Sequence, residues 1–266
     1  MPKSNDSDDH DPPQSRGILM DPGLTITISE LTIERDEDGQ QTTHGGKLLV
    51  ARDVTPIWLN LSWDHLLAAA AVDKKVTAAN AADHSGDLSS ALLKRTISGM
   101  QSIVATAIAV EAFEYNVRER FELPASITAA WTKNRTAKFK RVTEALRQAF
   151  SLGNDKAEAI RKMAEEIFRY RRFTVHPPAD ARDAVFEPQF SRHVEWRHVA
   201  FGLRNAAHLH RFALLTIRGC AEHAARAKTS RLRNYAEGLA TTIEGSMDAW
   251  QNTFPGYHAE TIPAPK

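Results

Sequence analysis

The chain has 266 residues, a formal net charge of +1 and one cysteine. A lone Cys220 excludes an intramolecular disulfide and every multi-cysteine metal site, and points to a reducing, cytoplasmic setting. The small net charge hides an asymmetry: residues 1–65 hold 5 Lys/Arg against 12 Asp/Glu, a balance of −7, and residues 66–266 hold 29 against 21, a balance of +8.

Residues 1–22 are polar, acidic and Pro-containing, and read as a disordered tail, without the basic-then-apolar order of a signal peptide. Asp8, Asp9, His10 and Asp11 belong to that tail, where nothing rigid orients them toward a cation. From 23 to 62 a small antiparallel β element is expected. Leu24, Ile26 and Ile28 alternate with threonines, and a bulge near Ser29–Glu30 would explain why Leu31 and Ile33 resume in the other phase. Asp36 to Gly39 reads as a turn, and Lys47–Ala51 and Ile57–Leu61 as two further strands.

Residues 63–252 read as a helical bundle. A short helix spans Trp63–Val72, followed by a loop over Val76–Asp87. A long helix runs from about Ser89 to Phe121. Leu93, Ile97, Met100, Val104, Ile108, Glu111 and Tyr115 recur on it at three- and four-residue steps, and Ala105, Ala109 and Ala112 permit close helix approach. Glu111 thus interrupts an apolar stripe, where a lone carboxylate is costly. Lys133–Leu152 is the next helix, with Gly153 suited to its C-terminal cap and Asn154 or Asp155 to the start of its successor. That successor aligns Ile160, Ala164, Ile167 and Arg171 and stops at Pro177. A loop over 179–193, a long helix over Val194–Arg226 and a last helix over Ser230–Trp250 follow, with a loose tail from 253. No apolar run approaches the roughly 20 residues of a membrane span, so no membrane partner is expected.

Arg171 and His176 are the candidate reactive pair. Spacing alone says little: random placement of 22 Arg and 11 His gives roughly three pairs with four to six residues between them, and five occur. Placement is more telling. Arg171 is in phase with an apolar stripe and wants a carboxylate or phosphate, and Glu111 is its natural internal partner. His176 sits at a helix end freed by two prolines. The same placement suits a structural ion pair with a capping histidine. The rival pair, Arg204 and His210, lies mid-helix, and His210 reads as a satisfied core histidine. His208 and His210 cannot share a helix face. Lys133, Arg135, Lys138, Lys140 and Arg141 form a basic helix start that reads as a solvated face or an RNA backbone contact. Cys220 reads as inert core. No phosphate-cradling Gly-rich loop or nucleophile elbow occurs.

The Arg-Arg-Phe-Thr-Val-His-Pro stretch at 171–177 resembles the Arg–His motif of HEPN domains. The helix over 105–117, with Glu111 and Asn116, resembles the preceding core helix of that family, and the likeness extends over about 88–226. It implies a mainly α fold, an HEPN-like helical bundle beside the small β element. It also implies a metal-independent, cofactor-free endoribonuclease acting as a homodimer on RNA, of the toxin–antitoxin or phage-defence kind, with an antitoxin or other protein partner. In that reading His176 is the general acid or base, Arg171 holds the scissile phosphate, and Glu111 and Asn116 orient them. Arg172 departs from the small polar residue usual after the motif arginine. Non-catalytic members of the family act as antitoxins, scaffolds and RNA or nucleotide binders, which is the alternative reading.

Overall fold

The computed structural model describes residues 24–35, 40–82, 85–176, 183–187 and 189–257. It divides into two compact units, 1–52 and 53–266. The tail expected over 1–22 and the turn over 36–39 lie outside the described residues.

In the first unit, β1 (Leu24–Arg35) and β2 (Gln41–Arg52) form an antiparallel pair. The register runs without a shift from Leu24 opposite Arg52 to Arg35 opposite Gln41. The expected bulge is absent: Ser29 faces Lys47 and Leu31 faces Gly45, so no residue is inserted between them.

The second unit is mainly helical. The third expected strand, Ile57–Leu61, is instead the first part of α1 (Thr55–Ala81). Pro56 sits in the first turn, where its missing N–H costs nothing, and Asp53 Oδ1 accepts the Thr55 N–H at 2.8 Å. Leu59, Ser62, Leu66, Ala69 and Val76 are buried at helical spacing, while Ile57 and Leu61 stay exposed. The helix carries on through the Ala/Asn-rich stretch expected as a loop, so Val76 to Ala81 is helical.

Antiparallel to α1 runs α2 (Ser85–Arg118). This helix is long and apolar enough to cross a membrane, against the sequence expectation, and 56% of its apolar window is buried inside the protein. Its inner surface is Ile103, Ala107, Val110, Phe113 and Val117, together with Ser102 and Thr106. Next come α3 (Ala125–Lys133) and α4 (Lys138–Phe150). The single helix expected over 133–152 is broken where Arg135 adopts φ 47°. The C-cap of α4 is Ser151, left-handed at φ 51°, and Gly153 is the N-cap of α5 (Asn154–Val175), not a C-cap.

A short pair, β3 (Val185–Glu187) and β4 (Arg192–Val194), occupies part of the expected loop. The long helix expected over 194–226 is interrupted. It resolves into α6 (Trp196–Ala200), α7 (Leu203–Ala221) and a 3-10 turn at Ala224–Arg226. Gly202 is the N-cap of α7, and a Cβ there would lie 2.9 Å from the His198 carbonyl. The last helix is α8 (Ser230–Thr253), opened by Thr229, whose hydroxyl accepts the Leu232 N–H at 3.1 Å. Phe254 is buried and stacks near Trp250, so the loose tail expected from 253 is ordered through Tyr257.

The main core has Phe113, Phe150, Tyr170, Phe201 and Trp250 as its largest buried side chains, and a smaller cluster gathers Val76, Leu88, Leu92 and Phe190. Trp250 Nε1 donates to the Ala207 carbonyl at 3.0 Å and ties α8 to α7.

Candidate functional site

Five residues of α5 carry its buried stripe: Ala157, Ile160, Ala164, Ile167 and Tyr170. The stripe ends on Tyr170 and not on Arg171. Tyr170 is fully buried, and its hydroxyl accepts from Asn205 Nδ2 at 3.1 Å. Arg171 therefore lies on the flank, half-buried, and not inward as its spacing suggests. It meets Glu111 of α2, with Nη1 3.5 Å from Oε1 and side-chain exposures of 40% and 27%. That long pair occupies one edge of the guanidinium fork. Its buried Nε has no partner.

His176 is exposed and caps α5. Its N–H donates to the Arg172 carbonyl at 2.8 Å. Two residues five apart on a continuing helix would point about 140° apart. His176 leaves the helical path instead, with φ −128° and ψ 70°. Arg172 is exposed, its guanidinium 5.5 Å from the Phe173 ring centroid. Arg169 pairs with Glu166 at 2.8 Å.

Asn116 is not part of this constellation. Its Nδ2 donates to Asp53 Oδ1 at 2.9 Å, and its Oδ1 accepts from Arg120 at 3.0 Å. Tyr235 donates to the other Asp53 oxygen at 3.0 Å, and Arg120 stacks 4.2 Å from the Tyr235 ring centroid. These groups clasp the start of α1, the end of α2 and the start of α8. Burial and the nearby Asp53 carboxylate push the Tyr235 hydroxyl well above its ordinary pKa, so it stays a donor.

The stripe of α2 that carries Glu111 is the outward one. Leu93, Ile97 and Tyr115 on it are exposed, and Met100, Val104 and Ile108 are half-buried. A groove of about 380 Å³ opens on this face, walled by Trp58 and Leu61 of α1, Ile97, Met100 and Val104 of α2, and Thr174 of α5. Glu111 and Arg171 thus border an uncovered apolar surface. On the next turn of α2, buried Glu114 holds Arg118 at 3.5 Å and Lys138 at 3.4 Å. Lys138 of the basic stretch is therefore engaged, while Lys133, Arg135, Lys140 and Arg141 are exposed beside it.

The rival pair is separated. Arg204 is exposed at the start of α7, whereas His210 is fully buried less than two turns further on. His210 Nδ1 lies 2.8 Å from Ser62 Oγ, which also meets Thr106 Oγ1 at 2.7 Å, Ser102 Oγ at 3.1 Å and the Ser102 carbonyl at 3.1 Å. Sequence reasoning had not connected Ser62, Ser102 and Thr106 to this histidine. The available signal was Ser102 and Thr106 one turn apart in a run of small and apolar residues. Burial holds the His210 pKa down at about 4, against an ordinary 6.5. Cys220 is buried, and burial raises its thiol pKa well above the ordinary value. No group of three or more His, Cys, Asp or Glu among the described residues is placed to hold a metal ion.

His210 makes a pH prediction. The unfolded state takes up its proton near pH 6.5 and the folded state only near 4, so its contribution is complete above about 6.5 and is lost as pH falls toward 4. The full loss is about 3 kcal/mol. Urea titrations from pH 7 to 4.5 are expected to show a flatter acid limb for His210→Gln than for the wild type. Parallel limbs would contradict it.

Comparisons with protein-family models, with curated protein sequences and with solved structures return no match.

Proposed function

We propose that this chain is an HEPN-like, metal-independent endoribonuclease whose working form is a homodimer. The observation that carries the reading is the Arg171–Glu111 pair at the edge of an exposed apolar face, with His176 exposed on the same helix end. The likeness of residues 171–177 to the HEPN motif supplies the chemistry.

In this reading His176 removes the proton of an RNA 2′-hydroxyl. The 2′-oxygen attacks the adjacent phosphorus, the bond to the 5′-oxygen breaks, and the leaving oxygen takes a proton from an acid, either a second His176 or water. Arg171 binds the non-bridging phosphate oxygens and stabilises the charge that grows on them. Glu111 keeps the guanidinium facing the α2 surface until phosphate takes its free donors. Arg172 adds a second cation for the RNA backbone. A single chain leaves this site open to water. A second copy seated on the Leu93–Tyr115 face of α2 would cover the apolar surface and enclose the site. The exposed basic residues from Lys133 to Arg141 extend the track for an RNA strand. A cognate antitoxin covering the same face would silence it.

The Glu111 pairing also suits a non-catalytic RNA-binding or scaffold role, in which Arg171 is structural. RNA cleavage in excess EDTA by the wild type and by His176→Ala separates the two. The nuclease reading expects at least about a hundredfold loss in the variant with RNA binding retained. Equal cleavage by both, or binding with no cleavage by either, would overturn it.

A further inference from the structure

A cavity of about 260 Å³ lies between α1, α7 and α8, away from the Arg171 site. Asn60 and Trp63 line it from α1, His210 from α7, and Thr242, Gly245 and Ser246 from α8. None of the side chains lining it carries a charge at neutral pH. We infer that this cavity binds a small, uncharged, planar heterocycle whose polar edge hydrogen-bonds Nε2 of His210.

Three observations carry the inference. His210 is fully buried yet lines the cavity, and its Nδ1 is fixed by Ser62. Ser62 Oγ stands within hydrogen-bond distance of His210 Nδ1, the Ser102 carbonyl, Ser102 Oγ and Thr106 Oγ1, which hold the imidazole in place. In either tautomer Nδ1 is taken by Ser62, and Nε2 is the ring nitrogen left for a ligand. Three buried hydroxyls around one histidine are a costly way to fill a core. They orient a ring that ends at a cavity, as outer partners orient a reading group in a binding site.

The second is Trp63, half-buried, its ring centroid 5.8 Å from that of His210 and tilted by 39°. It provides a flat apolar wall beside a polar ring nitrogen, which suits a ring with a polar edge. The third is Gly245. It lies inside α8, where glycine costs about 1 kcal/mol relative to alanine. A Cβ built there meets nothing within 4 Å, so neither packing nor a left-handed backbone requires glycine. It lies on the exposed rim of the cavity. The uncharged lining disfavours an ion, which would lose its hydration with no countercharge.

The test is binding of uracil, nicotinamide and benzoate to the full chain, by calorimetry and ligand-observed NMR. The wild type is expected to bind uracil or nicotinamide, with benzoate at least about tenfold weaker. Gly245→Leu fills the cavity and is expected to weaken that binding at least about tenfold with an unchanged or raised melting temperature. Gly245→Ala is expected to retain it. The inference fails if neither neutral ring binds, if benzoate binds as well as they do, or if Gly245→Leu binds like the wild type.

Discussion

Replacing Gly99 by alanine is expected to destabilise the protein by at least about 3 kcal/mol, with the sign opposite to the usual helix rule. Gly99 lies inside α2 and faces the break between α6 and α7. A Cβ there would sit 1.9 Å from the Phe201 carbonyl oxygen and 3.0 Å from its carbon. Both atoms are backbone, so no side-chain rotation relieves the clash. Alanine elsewhere in a helix interior stabilises by about 1 kcal/mol relative to glycine. Here the α6–α7 turn must back away from α2. That movement would strain the contacts of Trp196 and Phe201, both buried in the core. Urea unfolding of Gly99→Ala reads the effect directly. A variant as stable as the wild type would show that the two backbones do not meet as described.

Removing Asp73 is expected to cost about 3–5 kcal/mol, because it leaves a cation buried without its countercharge. Arg95 on α2 is 2% exposed and donates to Asp73 Oδ1 at 2.7 Å. Its other contacts are neutral: the His198 carbonyl at 3.1 Å, Gln189 Oε1 at 3.4 Å and the Phe190 ring, 5.2 Å from centroid to guanidinium carbon. These neutral groups cannot replace a carboxylate in a desolvated site. Asp73→Ala should therefore lower the urea midpoint strongly, and Asp73→Asn, which keeps an acceptor, by less. The double variant Asp73→Ala, Arg95→Met should lose less than the two single losses added together, since the orphaned charge is gone. A loss below about 1 kcal/mol for Asp73→Ala would contradict a buried, coupled pair.

The helical character of the chain was legible because long periodic segments carry the strongest signal. The boundaries were less so, each for a physical reason. Ile57, Leu59 and Leu61 alternate like a strand, yet only Leu59 is buried, and Pro56 with Asp53 starts a helix there. The α6–α7 break left no helix-breaking proline in the sequence. The signal there was Gly202, the N-cap of α7, next to the close approach of Phe201 to Gly99.

Apolar residues lie on most sides of α2, and the stripe of Leu93, Ile97 and Tyr115 turned out to be the exposed one, while Ile103, Val110 and Val117 with the small Ala105 and Ala109 are buried. The exposure of that stripe also changes the candidate site. Glu111 is not a stranded core carboxylate but borders an open apolar face, and Tyr170, one residue earlier, takes the inward place expected of Arg171. The Arg171–Glu111 contact itself was readable from two charges on apolar stripes. Asn116 was not separable from Glu111 by sequence proximity, although five residues along a helix turn it about 140° away, toward Asp53 and Tyr235.

The central proposal places 2′-hydroxyl chemistry at His176. It is tested most directly by incubating the wild type and His176→Ala, in excess EDTA, with an RNA and with its fully 2′-O-methylated counterpart. The expected result is cleavage of the unmodified RNA by the wild type alone, leaving a 2′,3′-cyclic phosphate end. Cleavage of the methylated strand, or equal cleavage of RNA by His176→Ala, would contradict the account.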